Sequence, residues 1–391
     1  MKYRLLCLNL LLLFALNARA GAVRLTADSR VSILTCDPGR EPYAIFGHSA
    51  IRIQDSTAGV DIVYNYGTFN FDDLHFYKNF LGGDLNYYLG TAPFDEFMEE
   101  YAEGHRAVVE QVLNLDLYER QSLYDHLVEN AREQNKYYKY NFFYDNCSTK
   151  IRDDLEGMFK GNYELSDPSH ARNQSFRQLI GKYFPNNPWA GFGIDICLGL
   201  PADRPASLEE RMFLPLNLSG AMDHFSVAHG RKLVADTEVY DFKIRFQRLS
   251  WDRLTSPTVI FWIIFAFCLI IILFEMGSGR HFTGFDYLIF ILSGLTGLFL
   301  LYLWWFTHHS VTRYNLNLIW ACPLNIIGIV WPGIRKYYFS VYSVVLSLFL
   351  LFFLFFTRLF DPALLPLILT LLIRSVRLSG FRITLKGKRN R

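Results

Sequence analysis

"FGHSAIRIQDSTAGVDIVYNYGTFNF", residues 46–71, reads as a β-hairpin: two strand-like runs, "HSAIRIQ" and "VDIVYNYG", flank the turn-rich "DSTAG". Side chains alternate along a strand, so His48, Ala50 and Arg52 share one face and Ile51 and Ile53 the other. His48 therefore stands at the start of a rigid strand, behind a Gly47 that permits close backbone approach. Its orienting partner depends on the loop. A two- or four-residue loop puts Asn65 on the face of His48, whereas a three-residue loop closing on Gly59 favours Thr68.

Downstream, "YDNCSTKIRD" (144–153) supplies the chemistry that a histidine base would serve. Ile151, Leu155 and Met158 or Phe159 recur at helical spacing, and Asn146 before them is a good N-cap. Cys147 then occupies the first helical turn, where unpaired N–H groups and the helix dipole favour a thiolate. The same turn offers donors for an oxyanion. A cysteine at a helix start is as often structural as reactive, so the assignment of Cys147 as nucleophile leans on His48 as its base. His75, His105, His126 and His170 stand on less informative backgrounds.

The compartment limits what the other cysteines do. "MKYRLLCLNLLLLFALNARA" (1–20) has a basic start, an apolar run and a small-x-small end, the pattern of an export signal that carries Cys7 away. Five apolar segments follow Arg253, at about 257–275, 285–306, 316–332, 338–356 and 359–373, with Trp262, Trp304, Trp305, Trp320 and Trp331 mostly near their ends. Arg280, Arg335, Lys336 and the tail's Arg374, Arg377, Arg382, Lys386, Lys388, Arg389 and Arg391 fall on the inside, against Arg313 and Arg358 outside. That asymmetry obeys the positive-inside rule for an exported N-terminal part. The expected organisation is a signal peptide (1–20), an exported periplasmic domain (21–255), a transmembrane region of about five spans (256–378) and a basic cytoplasmic tail (379–391), in a bacterial inner membrane. The net charge of +2 is then no argument for nucleic acid, because the basic excess lies in the tail.

Three cysteines remain in the exported part, Cys36, Cys147 and Cys197. An odd count leaves a thiol unpaired. No two have a C-x-x-C spacing, so neither zinc nor any other metal or cofactor is called for. Cys36 ends the strand-like "RVSILT" before a Pro-Gly turn and has no helix dipole to activate it. Cys268 and Cys322 read as small fillers in apolar spans.

A strand histidine followed by a helix-opening cysteine resembles the circularly permuted papain-like enzymes, the NlpC-type hydrolases and lecithin:retinol acyltransferase relatives. More closely, "LTCDPGREPYAIFGHSAIRIQD", "YNYGTFNF", "YDNCSTKIRD", "PWAGFGIDICLG", "MFLPLNL" and "NLNLIWACP" resemble, in order over nearly the whole mature chain, the Bacteroidota lipoprotein N-acyltransferase family, Lnb. The resemblance implies an α+β exported domain of permuted papain-like fold, followed by an all-α transmembrane bundle. It implies acyl transfer from a membrane phospholipid to the N-terminal amine of a diacylated lipoprotein cysteine, with Cys147 and His48 as catalytic residues and a Cys thioester between.

The outward turn "WWFTHHSVTRYNLNLIWACP" (304–323) gathers polar groups at the membrane surface. His309, Arg313 and Asn317 are candidate donor-binding residues, Arg313 for a phosphate; Asn317 and Asn325 need polar partners inside an apolar segment. The bland alternative is a solvated turn in an aromatic belt. Other signals are weaker: Glu119 placed as a capping box behind Asp116, Arg172 and Arg177 within reach of an anion or on a surface helix, and "NKYYKYNFFYD" (135–145) as packing. The rivals to acyl transfer are a peptidoglycan amidase or peptidase of NlpC type, a phospholipase that lets water finish the cycle, and a lipoprotein-binding module without catalysis.

Overall fold

The computed structural model describes residues 23–69, 75–166, 173–227, 230–243 and 254–380. The expected signal peptide, His170, Arg172 and the tail from Arg382 to Arg391 lie outside the described residues. The chain divides into two compact units: Met1–Asn70, Asn86–Pro168 and Leu208–Ile244 form one, and Phe71–Leu85, Ser169–Ser207 and Arg245–Arg391 the other. Two segments that precede the spans in sequence, 71–85 and 169–207, thus belong with the helical unit.

In chain order, the first strands are β1 (Arg30–Cys36), β2 (His48–Asp55) and β3 (Val60–Thr68). Helix α1 (Phe76–Gly82) interrupts them before β4 (Asn86–Pro93), α2 (Phe94–Glu103), β5 (Val108–Leu113), α3 (Leu117–Asn130), β6 (Tyr137–Lys139), α4 (Cys147–Phe159) and β7 (Tyr163–Leu165). Next come α5 (Phe176–Gly181), α6 (Pro188–Cys197), α7 (Pro215–Met222), β8 (Phe225–Val227), β9 (Arg231–Lys232) and β10 (Val234–Tyr240). A seven-stranded antiparallel sheet runs β10-β5-β1-β2-β3-β4-β6, and a small one runs β7-β8-β9.

Alternation along the strands gives the large sheet two apolar faces. Leu34, Cys36, Ala50 and Val63 pack on Phe97, Met98 and Tyr101 of α2. Ile33, Ile51, Ile53 and Tyr64 pack on Leu127 of α3, Ile151 and Leu155 of α4 and Leu218 of α7. Asp116 and Glu119 close the expected capping box at the start of α3. The hairpin resolves its own ambiguity: Asp55 pairs with Val60 across a four-residue loop, and Ile51 pairs with Tyr64, so Asn65 falls on the face of His48. Gly47 has φ +80°, and a Cβ there would lie 2.5 Å from the carbonyl oxygen of Cys36, so only glycine fits.

The second unit contains the expected helical region, together with the two earlier segments. Helices α8 (Pro257–Ser278), α9 (Thr283–Trp305) and α11 (Pro332–Phe355) are long and apolar enough to cross a membrane. The remaining two expected spans are shorter: Leu316–Val330 combines a 3₁₀ turn with α10 (Leu324–Val330) at Pro323, and α12 covers only Leu364–Leu378. Proline lacks the N–H that a continuous helix requires, which accounts for the break at Pro323. Trp320 is an internal packing residue, its indole N–H donating to Asn317, and does not lie at an interface. Asn325 is fully buried and satisfied: its amide donates to Ser293 and Tyr342 and accepts from Tyr338 at 2.6 Å.

Arg374 also departs from expectation. Read as a tail residue for the headgroups, it is fully buried in α12, where its guanidinium meets Glu275 of α8 at 3.0 Å and Asp286 of α9 at 2.5 Å. A buried cation persists only when paired and hydrogen-bonded, and two carboxylates supply that here. Arg374→Met leaves Asp286 without its cation and Glu275 with only Arg377 at 3.2 Å, and the expected cost is about 3–5 kcal/mol, read as a fall in the thermal midpoint of the detergent-solubilised protein.

Candidate active site

Cys147 is the first residue of α4, and its position is set by Asn146. The Asn146 amide oxygen accepts the N–H groups of Ser148 and Thr149, both at 2.9 Å, while Thr149 returns its hydroxyl to the Asn146 N–H at 2.8 Å. The Asn146 amide NH₂ donates to the carbonyls of Phe142 and Phe213. Every polar atom of this buried cap therefore has a partner. Of the backbone donors in this first turn, the Ser148 and Thr149 N–H groups are thus taken by the cap.

His48 meets this thiol from β2. Its Nε2 lies 2.5 Å from the Asn65 amide oxygen, which can only accept, so Nε2 carries a proton and Nδ1 is left for the thiol. Cys147 hydrogen-bonds His48 and receives the Ser49 N–H. Ser49 and Ser148 link their hydroxyls at 3.1 Å, tying β2 to the helix start. Strand β3 bulges between Asn65 and Thr68, where Gly67 has φ +87° and borders the helix start: a Cβ there would lie 3.6 Å from the Cys147 Cβ. Thr68, the other possible partner, turns its hydroxyl to the Asn65 carbonyl at 2.9 Å.

Burial alone would raise the Cys147 pKa, but the His48 charge, its hydrogen bond, the Ser49 N–H and Ser148 outweigh it, and the thiol lies below its ordinary value. Burial alone would lower His48, but the Cys147 thiolate and the hydrogen bonds to Cys147 and Asn65 hold it above its ordinary value. The two shifts describe one thiolate–imidazolium pair. Cys36, cross-strand from His48, is the contrast: burial pushes its thiol far up despite a hydrogen bond from Tyr101. Cys36, Cys147 and Cys197 are all free thiols.

One residue escaped the reading of "NKYYKYNFFYD" as packing. The hydroxyl of Tyr138 is buried and has no hydrogen-bond partner among the described residues. Its oxygen and the Cys147 Cβ border the same space, 3.9 Å and 3.6 Å from where a Gly67 Cβ would be. An unpaired buried donor is rare and invites an acceptor. Nothing in the sequence separates it from the neighbouring tyrosines.

The three donor-binding candidates belong to the other unit. His309 reaches the Phe80 carbonyl at 3.0 Å. Arg313 is exposed and makes no hydrogen bond or ion pair with the described residues. Asn317 is 2% exposed, with its NH₂ on the Ile196 carbonyl and its oxygen on Trp320, so its amide is occupied by the protein itself. Arg177 is likewise taken, held by Asp195 and Asp203 at 6% exposure, and does not face an anion. Among the described residues no cluster of histidine, cysteine and carboxylate side chains is arranged to hold a metal.

An α+β domain bearing a cysteine–histidine pair is followed by helices long and apolar enough to cross a membrane, the class of a membrane protein with an extramembrane domain. Two family models match the chain: the Lnb N-terminal periplasmic domain over residues 20–180 and the Lnb transmembrane domain over 250–386. Together they cover most of the sequence in the expected order, and the chain belongs to the Lnb family, a family of lipoprotein-modifying membrane enzymes. It is an inner-membrane protein with its N-terminal domain in the periplasm. No curated protein and no solved structure matches it.

A thiol below its ordinary pKa stays ionised as pH falls through the usual thiol range. Iodoacetamide is therefore expected to alkylate Cys147, located by peptide mass mapping, well below that range. In His48→Ala the imidazolium is gone and burial raises the pKa, so the rate at pH 7 should fall on the order of tenfold per unit of rise. Superimposable pH profiles for the two proteins would dismiss the ion pair.

Proposed function

We propose that this protein is a lipoprotein N-acyltransferase, moving an acyl chain from a membrane phospholipid to the N-terminal amine of a diacylated lipoprotein cysteine. The single observation that carries the reading is the Cys147–His48–Asn65 arrangement, in a chain whose family modifies lipoproteins. The order of a strand histidine before a helix-start cysteine supports a permuted papain-like domain.

In the first stage the Cys147 thiolate adds to the ester carbonyl carbon of the phospholipid, forming a C–S bond and a tetrahedral oxyanion. The Cys147 N–H and the Tyr138 hydroxyl are the donors we assign to that oxygen. Collapse breaks the C–O bond to glycerol, and the imidazolium of His48 gives its proton to the departing lysophospholipid oxygen. A thioester remains. In the second stage the lipoprotein amine attacks the thioester, neutral His48 accepts the amine proton, the amide forms and the Cys147 thiolate leaves. Asn65 fixes the ring so that Nδ1 faces the reacting atoms in both stages. No cofactor enters either stage. We assign Arg313, with His309 beside it, to the donor phosphate; Asn317 positions the turn that carries them.

Mass spectrometry of a diacylated lipopeptide incubated with phospholipid and purified protein tests the reading. The expected product gains one acyl mass on the α-amine, and Cys147→Ala and His48→Ala yield none. Free fatty acid with unmodified peptide would instead make the protein a phospholipase, and untouched lipid would sink acyl chemistry altogether. Tyr138→Phe should lower kcat by about 10²–10³-fold while the alkylation rate of Cys147, a reaction that develops no oxyanion, stays unchanged. Full turnover in that variant removes Tyr138 from the mechanism.

A further inference from the structure

The segments at 75–85 and 188–199 precede the spans in sequence, yet their polar atoms are fastened to the periplasmic ends of those spans. The His308 N–H donates to the Gly82 carbonyl at 2.8 Å, and His309 reaches the Phe80 carbonyl at 3.0 Å, so the C-terminus of α1 is tied to the residues just after α9. Gly83, at φ +73°, caps α1 so closely against this turn that a Cβ there would lie 3.1 Å from the His309 nitrogen. Helix α6 is fastened alike. Its Trp189 indole donates to the Thr255 carbonyl at 2.7 Å, just before α8, and Phe192 packs on Phe261 of α8. The Gly199 N–H donates to the Val311 carbonyl, and Asn315 to those of Ile196 and Cys197.

Depth follows from length. Helix α9, with 23 residues, is ~35 Å long, against a hydrocarbon core of about 30 Å. Its end at Trp305 therefore falls at the hydrocarbon boundary, and elements tied to residues 308–311 sit within the headgroup layer. Both segments present large apolar side chains outward at that level: Phe80 is 51% exposed, Leu81 44% and Trp189 48%. Trp305 and Phe306 are exposed beside the same turn, and Lys78 on α1 is exposed as well. Aromatic and leucine side chains with a neighbouring lysine are the composition of a helix lying in an interface, rings in the acyl boundary and ammonium among phosphates.

We propose that α1 and α6 are interfacial helices that bury Phe80, Leu81 and Trp189 among phospholipids of the periplasmic leaflet. The occupant of this surface is lipid, because the surface is continuous with the outer ends of α8 and α9. In sequence, helix α1 lies between β3 and β4. The inference rests on the membrane location of the protein and not on the acyl-transfer reading.

The test uses the full chain in native membranes, with the photoreactive residue p-benzoylphenylalanine placed singly at positions 80, 81 and 189. Position 298, lipid-facing in α9 at 48% exposure, is the positive control, and position 118, on α3 at 82% exposure, the aqueous one. Illumination followed by mass spectrometry should give phospholipid adducts at 80, 81, 189 and 298 and none at 118. Water-quenched or protein-linked products at 80, 81 and 189, with lipid adducts still forming at 298, would overturn the proposal. Should one probe block accumulation of the protein, the other two decide.

Discussion

The active-site half of the molecule is organised around a single side chain, Asn146. At the start of α4 it accepts two backbone N–H groups and donates to two carbonyls, one from the preceding loop and one from Phe213, far along the chain. These bonds are buried, so each is costly to lose, and together they determine where α4 begins. Cys147 is the next residue. Its sulfur can face only the rim of the sheet, where His48 and the Ser49 N–H wait. The meeting of thiol and imidazole follows from that helix terminus.

The sheet meets this terminus with equal rigidity. The four-residue hairpin loop aligns Asn65 with His48, and the bulge at Gly67 brings the β3 backbone up to the cysteine. A larger residue at Gly47 would strike the Cys36 carbonyl and move the strand start that carries His48. Positions that look like loop glycines thus set how the strands meet the helix start. Cys36 shows the contrast on the adjacent strand: without a histidine hydrogen-bonded to it, burial outweighs the Tyr101 hydrogen bond and the Arg106 charge, and the group is kept protonated.

In the helical unit the same physics works with scarcer polar groups. Asn325, Ser293, Tyr338 and Tyr342 satisfy one another, and Arg374 shares two carboxylates from two other helices. Each apolar helix is thereby given a rotational setting that dispersion between similar side chains would not specify. Polar backbone contacts at the periplasmic ends then bind α1 and α6 to this bundle, so elements remote in sequence share one membrane-facing surface.

Much of this was legible in the sequence because it is local or periodic. The alternation in "HSAIRIQ" fixed the face of His48, the residue types around Asn146 fixed the helix start and so Cys147, and the apolar runs with their charge asymmetry fixed membrane and orientation. Relations between distant segments were not legible. The hairpin register, and with it Asn65 over Thr68, waited on which backbone pairs formed. Tyr138 is one tyrosine among several until the Gly67 bulge places its hydroxyl near the thiol. Asn317, Arg177 and Arg374 looked available to ligand or headgroup because charge and polarity are local properties, while the partners that occupy them are brought by the fold from other helices. Local sequence states what a residue prefers; only tertiary packing decides whether another part of the chain has already satisfied it.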